Sequence, residues 1–489
     1  MTTKATPTKP KKLSEITYWD IETDVAIMGF GGAGACAAIE AADAGVQVSI
    51  FELASQSGGS TRLSSAEIYM GGSGGTPVQK ACGFNDSNDA MFDYLMASSG
   101  HLANEEKIRC YVENSVDHFN WLTQMGIPYK TSFHKERAIM CLTDDCLLYT
   151  GSEKAWPFAD IAEPCPRGHN IQVEGDKGGP YLMDTLTKQV EKRNNIDVHY
   201  EARVITIIAD ENNEVHGLVV KIDMQERYIK TNKGVILCAG GFVMNDDMLK
   251  KFAPRLLNAT EKIGNPGDMG AGILMGMGLG AAAINMGEGF VSLPFYPPAE
   301  TTHGILVNSQ AQRFINEDSY HGRVGYHLLN QIGDRVYMIF SAKNDFTPPL
   351  FLCADIAGTG ETIEELAEEL ALPPKALNNT IDFYNHCARE GEDLLFKKAT
   401  EYLKPLEPPF AALDCTPGRG AFFPYFTLGG LDTLTTGEVL TPAGEIIKGL
   451  YAAGRTTCGL PRSGEGYSSG MSVGDATFFG RLAGKQAAL

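Results

Sequence analysis

The stretch that most constrains this chain is Val25 to Glu52, VAIMGFGGAGACAAIEAADAGVQVSIFE. An apolar strand, Val25 to Met28, runs into Gly29-Phe30-Gly31-Gly32-Ala33-Gly34, which opens an Ala-rich helix, and a second strand, Val46 to Phe51, ends on the acid Glu52. This order is a complete β-α-β nucleotide fingerprint. Gly29 serves the tight turn, Gly31 lets a pyrophosphate approach bare backbone, and Gly34 lets the helix close on the strand. The helix N-terminus offers free N–H groups and partial positive charge to phosphates, and Glu52 can accept both ribose hydroxyls. A carboxylate there disfavours a 2′-phosphate, so FAD or NAD is expected in preference to NADP.

Two further segments favour FAD. Ser57-Gly58-Gly59-Ser60-Thr61 is a second small, hydroxyl-rich turn suited to more phosphate and to a flavin against backbone. Far downstream, Gly449-Leu450-Tyr451-Ala452-Ala453-Gly454-Arg455 reads as a strand and turn leading to a final helix, a distant return that two-dinucleotide-fold flavoproteins need. At 489 residues the chain should hold more than one domain. Its 41 basic against 60 acidic residues, a net charge of −19, argue against nucleic acid or an anionic membrane as partner. Eleven cysteines without CxxC or finger spacing predict free thiols, a reducing cytoplasm and no metal site. Met1 to Lys12 resembles a disordered tail rather than a signal peptide, and the apolar stretch Met269 to Met286, broken by glycines, predicts a buried helix rather than a membrane span.

Along the chain, residues 57 to 85 are expected to wrap the cofactor, and Asp89 to Met125 reads as helical, with core positions from Met91, Tyr94 and Leu95 to Ile108, Tyr111, Val112, Val116, Phe119 and Leu122. In the turn-rich stretch 133 to 180, Arg167 and His169 either touch a substrate or tie a loop together by a charged hydrogen bond, the second reading being preferred. A helix over Leu182 to Lys192 precedes strands His199 to Tyr200, Val204 to Ile208, Val215 to Ile222, Glu226 to Lys230 and Gly234 to Leu237, an antiparallel meander returning to a parallel sheet. The last strand ends in Cys238-Ala239-Gly240-Gly241-Phe242, at the strand terminus where α/β sheets bind ligands, and Cys238 reads as a small core residue rather than a nucleophile.

A different domain is expected to begin near Gly276, with a hairpin of Ile305 to Val307 and Arg313 to Ile315 and helices over Thr362 to Leu370 and Lys375 to Arg389. It ends near Pro405 to Pro409, before the chain re-enters through Phe426 to Leu431. The fold class is therefore α/β: a two-dinucleotide-binding-type, Rossmann-like FAD domain (22–275 and 415–489), an inserted α+β capping domain (276–414) and a flexible arm (1–21). The last helix is expected to start on an approximate capping box, Ser472 to Asp475, with its dipole stabilising an anionic reduced flavin.

Together, GFGGAG, SGGST, KGVILCAGGF, GDMGAGILMGMGLGA, GILVNSQAQRFINED, FTLGGL and GLYAAGRTTCG make the chain similar, over roughly 22 to 488, to the flavoprotein family of fumarate reductases and 3-ketosteroid dehydrogenases. Within it the chain most resembles the 3-ketosteroid Δ4-(5α)-dehydrogenases, through GGTPVQKACGF (Gly74 to Phe84), CPRGH (Cys165 to His169), EDSYHGRVG (Glu317 to Gly325) and GYSSGMSVGDATFFGRLAG (Gly466 to Gly484). The resemblance implies that Tyr320, Tyr467 and Ser469 surround ring A of a steroid ketone. Hydrogen-bond donors on the ketone acidify the neighbouring C–H, and hydride then leaves to flavin N5. Tyr467 is assigned to the ketone and Tyr320 with Ser469 to the proton path, roles that can be exchanged. Glu465 departs from the small residue expected in that loop and leaves the steroid's identity open, while His321 and Arg323 mimic part of a carboxylate clamp.

The residues expected to line FAD are Gly29, Gly31, Gly32, Ala33, Gly34, Glu52, Gly59, Ser60, Thr61, Val204, Ala239, Gly240, Gly454, Arg455, Ser472 and Val473. Residues 53 to 100 contain no histidine, so non-covalent attachment is expected. The expected partners are a steroid ketone and an unidentified electron acceptor or donor, with oligomeric state open. Alternatives are the reverse reaction on a 4-ene-3-ketosteroid or bile acid, a fumarate or urocanate reductase, and a non-catalytic electron-transfer subunit or redox sensor.

Overall fold

A computed structural model describes residues 5–137, 141–175, 177–293, 302–331, 333–343, 354–419 and 421–489. The fingerprint forms as read: strand β1 (Ile21–Met28), helix α1 (Gly32–Asp43) and strand β2 (Val48–Phe51). Every α1 residue from Gly32 to Ala42 is buried, which its small side chains permit. It packs on the terminal helix, where a Cβ on Gly484 would lie 2.1 Å from the Ala37 carbonyl oxygen.

The main sheet has 9 strands among the described residues. Its parallel centre is β2, β1 and β3 (Gln225–Leu237), joined by β4 (Ile446–Ala452). The two strands expected over 226–230 and 234–237 are thus one, with a register shift between Thr231 and Gly234. Its first half pairs antiparallel with Val215–Ile222, and Val235 to Leu237 then pair with Leu450 to Ala452. Register brings Met28, Phe51, Leu237 and Ala452 level, so four strand ends open onto one edge.

Several expectations are corrected. Lys11–Lys12 pair with Ile208 and Ala209, and the Thr8 N–H donates to the Leu274 carbonyl, so the arm from Thr8 is hydrogen-bonded to the body rather than free. Backbone pairing holds it where composition alone suggested a solvated tail. The helical stretch over 89–125 forms two helices, Asn88–Ser99 and Glu105–Met125, separated at Gly100 (φ +56). The glycine-rich apolar stretch forms only the helix Ala271–Gly278 before turning at Gly280 (φ +91).

A second, four-stranded antiparallel sheet runs Ile305–Asn308, Val336–Ser341, Phe410–Asp414, Ile356–Gly360. The expected hairpin survives only as an isolated Val307–Arg313 bridge, because Val336–Ser341 takes the ladder of Ile305–Asn308. Leu377, Ile381 and Tyr384 of the helix Pro374–Glu390 pack against this sheet in a core of their own. Residues 138–140 and 176 of the turn-rich stretch, and Cys353, lie outside the described residues; the ten described cysteines are free. No described helix is long and apolar enough to cross a membrane.

Candidate active site

The edge where the strand ends align collects most of the glycine turns. Gly29 follows β1 with its N–H on the Phe51 carbonyl, Cys238 follows β3 with its N–H on Met28, and Ala453 follows β4 with its N–H on Leu237. The glycines differ in kind. A Cβ on Gly29 or Gly34 would strike backbone at 2.5 and 2.0 Å, so these serve the fold. A Cβ on Gly31 meets nothing nearer than the Gly58 carbonyl oxygen at 3.7 Å, so that space is left to a ligand. Gly31 also N-caps α1 without a side-chain cap of its own, leaving the Ala33 and Gly34 N–H groups of the first turn to an anion.

Around this cradle, Thr61 Oγ1 accepts from the Gly32 N–H at 3.2 Å. Ser60 Oγ donates to Asp268 at 2.5 Å and accepts from the Asn265 N–H, and Asp268 in turn lies where a Cβ on Gly240 (φ +75) would clash. Burial pushes the Asp268 carboxyl upward, opposed by the Ser60 bond. Glu52 sits at the end of β2 with its two oxygens on the N–H groups of Phe30 (2.7 Å) and Ala54 (2.8 Å). These bonds orient it, and each oxygen keeps a lone pair for a ribose hydroxyl. Gly59 approaches the Gly31 Cα, and Gly454 (φ +62) packs on Ala33. Val204 lies in the strand Arg203–Ala209, just after Ala202, whose N–H donates to the Glu52 carbonyl. The bare backbone, uncapped helix and ribose-side acid suit a dinucleotide diphosphate.

A second group lies at the start of the terminal helix, α3 (Met471–Ala487); Tyr320 N-caps helix α2 (His321–Leu329). The Tyr320 and Ser469 hydroxyl oxygens are 2.6 Å apart, and the Tyr467 hydroxyl donates to Ser472 Oγ at 3.0 Å. Phe290 packs against both tyrosines, with ring centroids 6.5 Å from Tyr320 and 4.7 Å from Tyr467. Ser472 Oγ also accepts from Arg455, whose guanidinium lies over Phe426. Burial raises the Tyr320 phenol well above its ordinary range and raises that of Tyr467 too, there opposed by Ser472 and Arg455. Both phenols are neutral near pH 7.

The expected capping box does not form. Gly470 (φ +90) is the N-cap of α3, Ser472 is spent on Tyr467 and Arg455, and Asp475 accepts from the Leu460 N–H. Glu465 accepts from His327 Nε2 at 2.9 Å and pairs with Arg323 at 3.3 Å, which hold its carboxyl below the usual range. Arg323 also donates to Asn316 and Ser319, and His321 bonds Ser292. Arg323 is thus paired with Glu465, and burial keeps the His321 imidazole neutral, so the two do not form a cationic clamp for a carboxylate ligand, although Arg323 Nε and His321 Nε2 have no protein partner among the described residues. Arg167 is fully buried on Asp86 (2.8 and 2.7 Å), and His169 joins Thr76 to the Arg167 carbonyl, so both tie the loop as preferred.

Sequence reading missed the supports of this group. Ser152 Oγ accepts from the Tyr320 N–H, Thr150 brackets Ser469 by two backbone-directed bonds, and Tyr94 bonds Ser468. They come from segments remote in sequence and no local motif marks them.

Residues 24–465 match the family model described as an FAD binding domain. The chain is 41% identical to a 3-ketosteroid Δ4-(5α)-dehydrogenase from Rhodococcus jostii RHA1, solved with 4-androstene-3,17-dione, over 98% of this chain and 100% of that one, with a TM-score of 0.92. It is 25% identical to a 3-oxo-5-alpha-steroid 4-dehydrogenase of Comamonas testosteroni, over 89% of this chain and 93% of that protein. An NADH:fumarate oxidoreductase of Klebsiella pneumoniae is 29% identical over 95% of this chain, which spans only 47% of that protein's length.

Proposed function

The chain belongs to the FAD-binding flavoprotein family that includes the 3-ketosteroid dehydrogenases, with FAD as its cofactor, and we propose that it is itself an FAD-dependent 3-ketosteroid 4-dehydrogenase. It removes a proton from C-4 and hydride from C-5 of a saturated 3-ketosteroid. The observation that carries this reading is the trio of neutral hydroxyls on Tyr320, Ser469 and Tyr467 packed around Phe290. Such a site stabilises a ketone. Arg323 is charge-paired with Glu465 and His321 is kept neutral by burial, which disfavours a dicarboxylate such as fumarate.

Gly31, Gly32, Ala33, Glu52, Ser60, Thr61, Ala239, Gly240, Arg455 and Val473 hold the cofactor in this reading. Bound FAD supplies the acceptor for the hydride. Tyr467 donates to the ketone oxygen as charge develops there. Ser472, which accepts from Tyr467 in the resting site, returns a hydrogen bond to its oxygen while Arg455 polarises the serine. At C-4 the acidified proton passes to the Tyr320–Ser469 pair. One hydroxyl takes it while the other passes its own proton to solvent through the cavity that Tyr320 lines with Gly151 and Ser152, because burial makes a lone phenolate costly. Phe290, stacked on Phe426, forms the apolar wall beside both tyrosines.

The same reading divides the chain into a cofactor domain (22–275 and 415–489) and an inserted capping domain (276–414), and takes an electron acceptor yet to be identified. The free thiols support a cytoplasmic setting. The test is anaerobic mixing of the holoprotein with a saturated 3-ketosteroid, with a 4-ene-3-ketosteroid and with fumarate. Bleaching of oxidised flavin by the saturated ketone supports the proposal. Reoxidation of reduced flavin by fumarate, with no response to either steroid, overturns it.

A further inference from the structure

The loop that leads away from the helix Glu105–Met125 carries a nucleophilic thiol, an imidazole and a carboxylate that the proposed chemistry does not use. Its two limbs are laced together: the His134 N–H donates to the Leu147 carbonyl at 2.8 Å, the Leu147 N–H returns to the Ser132 carbonyl at 3.0 Å, and the Cys146 N–H donates to Ser132 Oγ. That lacing brings one ligand atom each of His134, Cys141 and Asp145 within 4.8 Å of one another. His134 Nδ1 and Asp145 Oδ2 are 3.5 Å apart. Two nitrogen and oxygen ligands at about 2.0–2.2 Å from a tetrahedral zinc ion sit about 3.4 Å apart. The side-chain spacing is therefore already that of two corners of a tetrahedron.

We propose that His134, Cys141 and Asp145 form a binding site for a zinc-type divalent cation. The Cys141 side chain is buried, which places the thiol at the inner corner. Thr143 Oγ1 donates its one hydrogen to Asp145 Oδ2 at 2.7 Å and lies 3.3 Å from Cys141 Sγ, so the hydroxyl orients the carboxylate ligand beside the thiol. A thiolate and a carboxylate cancel the charge of a divalent ion, and the thiolate with imidazole selects zinc or cobalt over magnesium or calcium. Water fills the fourth position. Binding releases the thiol proton to solvent and changes no oxidation state.

The site's place in the fold gives it a role. Three residues past His134, Arg137 donates to Thr302 Oγ1 (2.8 Å) and to the carbonyls of Glu317 (3.1 Å) and Ser319, the turn that delivers Tyr320. A cation on His134 would anchor the chain three residues before this strut behind Tyr320. The binding itself does not depend on the steroid reading.

The test is titration of the chelator-treated, flavin-loaded protein with cobalt(II), read as a difference spectrum against the flavin background. The parent is expected to show one equivalent of a thiolate-to-cobalt charge-transfer band, displaced by zinc. Cys141→Ser is expected to lose that band, Cys146→Ser to retain it, and Thr143→Val to weaken cobalt binding about 10- to 100-fold. Flavin content and circular dichroism establish that each variant is folded. No thiolate band in the parent at saturating cobalt, or the same band in Cys141→Ser, overturns the site.

Discussion

The hydroxyls of Tyr320 and Ser469, 149 residues apart in sequence, share a 2.6 Å hydrogen bond. The bond joins the N-cap of α2 to the glycine loop before α3. Because burial raises the Tyr320 phenol, neither oxygen holds a full negative charge cheaply, and a proton entering the pair displaces another. Removing either hydroxyl should therefore disable one relay rather than two separate functions. Tyr320→Phe and Ser469→Ala are each expected to slow flavin reduction by a 3-ketosteroid, and the double variant to be little worse than the poorer single one. Rapid-mixing measurement of the reductive step checks this, and strictly additive losses would break the link.

Tyr467→Phe should lower turnover far more than steroid affinity, since the lost donor acts on an oxygen that gains charge only in the transition state. A loss on the order of a hundred- to a thousand-fold is expected. Ser472→Ala should show part of the same defect by releasing the contact that holds the Tyr467 hydroxyl. Reduction at the parent rate in Tyr467→Phe removes the residue from the mechanism.

Gly31→Val should empty the cofactor site with the fold intact, because the new Cβ would make only ordinary van der Waals contact, at 3.7 Å from the Gly58 carbonyl oxygen. A fall in FAD affinity of tenfold or more, about 1.4 kcal/mol, is expected from flavin absorbance per chain. Glu52→Arg should do the same but also strip acceptors from the Phe30 and Ala54 N–H groups, and so cost stability as well. In the parent, acid precipitation should leave the flavin in the supernatant.

His169 ties Thr76 to the Arg167 carbonyl, and burial lowers its pKa from 6.5 to about 4. The unfolded chain then binds more protons than the native one between those values, so stability falls as pH drops from about 6.5 to 4. The contribution is on the order of 3 kcal/mol, complete at neutral pH and lost near pH 4. His169→Gln is expected to flatten the pH dependence of thermal unfolding by about one proton, leaving the slopes due to His118, His199 and His321, all lowered first by burial. An unchanged slope would contradict this assignment.

The strand, glycine turn and Ala-rich helix from Val25 to Phe51 were legible because their geometry is enforced within about thirty residues. Period and sterics also marked the antiparallel strands from Val204 to Lys230 and the helix Pro374–Glu390, whereas the strand expected over His199 to Tyr200 is Ile196–His199, which pairs parallel with β2. Boundaries failed where a distant partner competed. Val336–Ser341 displaced Arg313 to Ile315 as the partner of Ile305–Asn308, and Tyr467 with Arg455 took the serine expected to cap α3. The arm failed for the same reason, since its partners, Ile208, Ala209 and Leu274, lie far along the chain.

The sequence by itself determined the cofactor cradle, since close approach of phosphate to backbone depends on glycines that are neighbours in the chain. It marked the two tyrosines and Ser469 only through likeness to a family. Tertiary structure alone decided that Ser152, Thr150 and Tyr94 support them, that Glu465 is absorbed by Arg323 and His327, and that His134, Cys141 and Asp145 converge. Hydrogen bonds and ligand sets act over about 3 Å, a range on which separation along the chain carries no information until the core has packed.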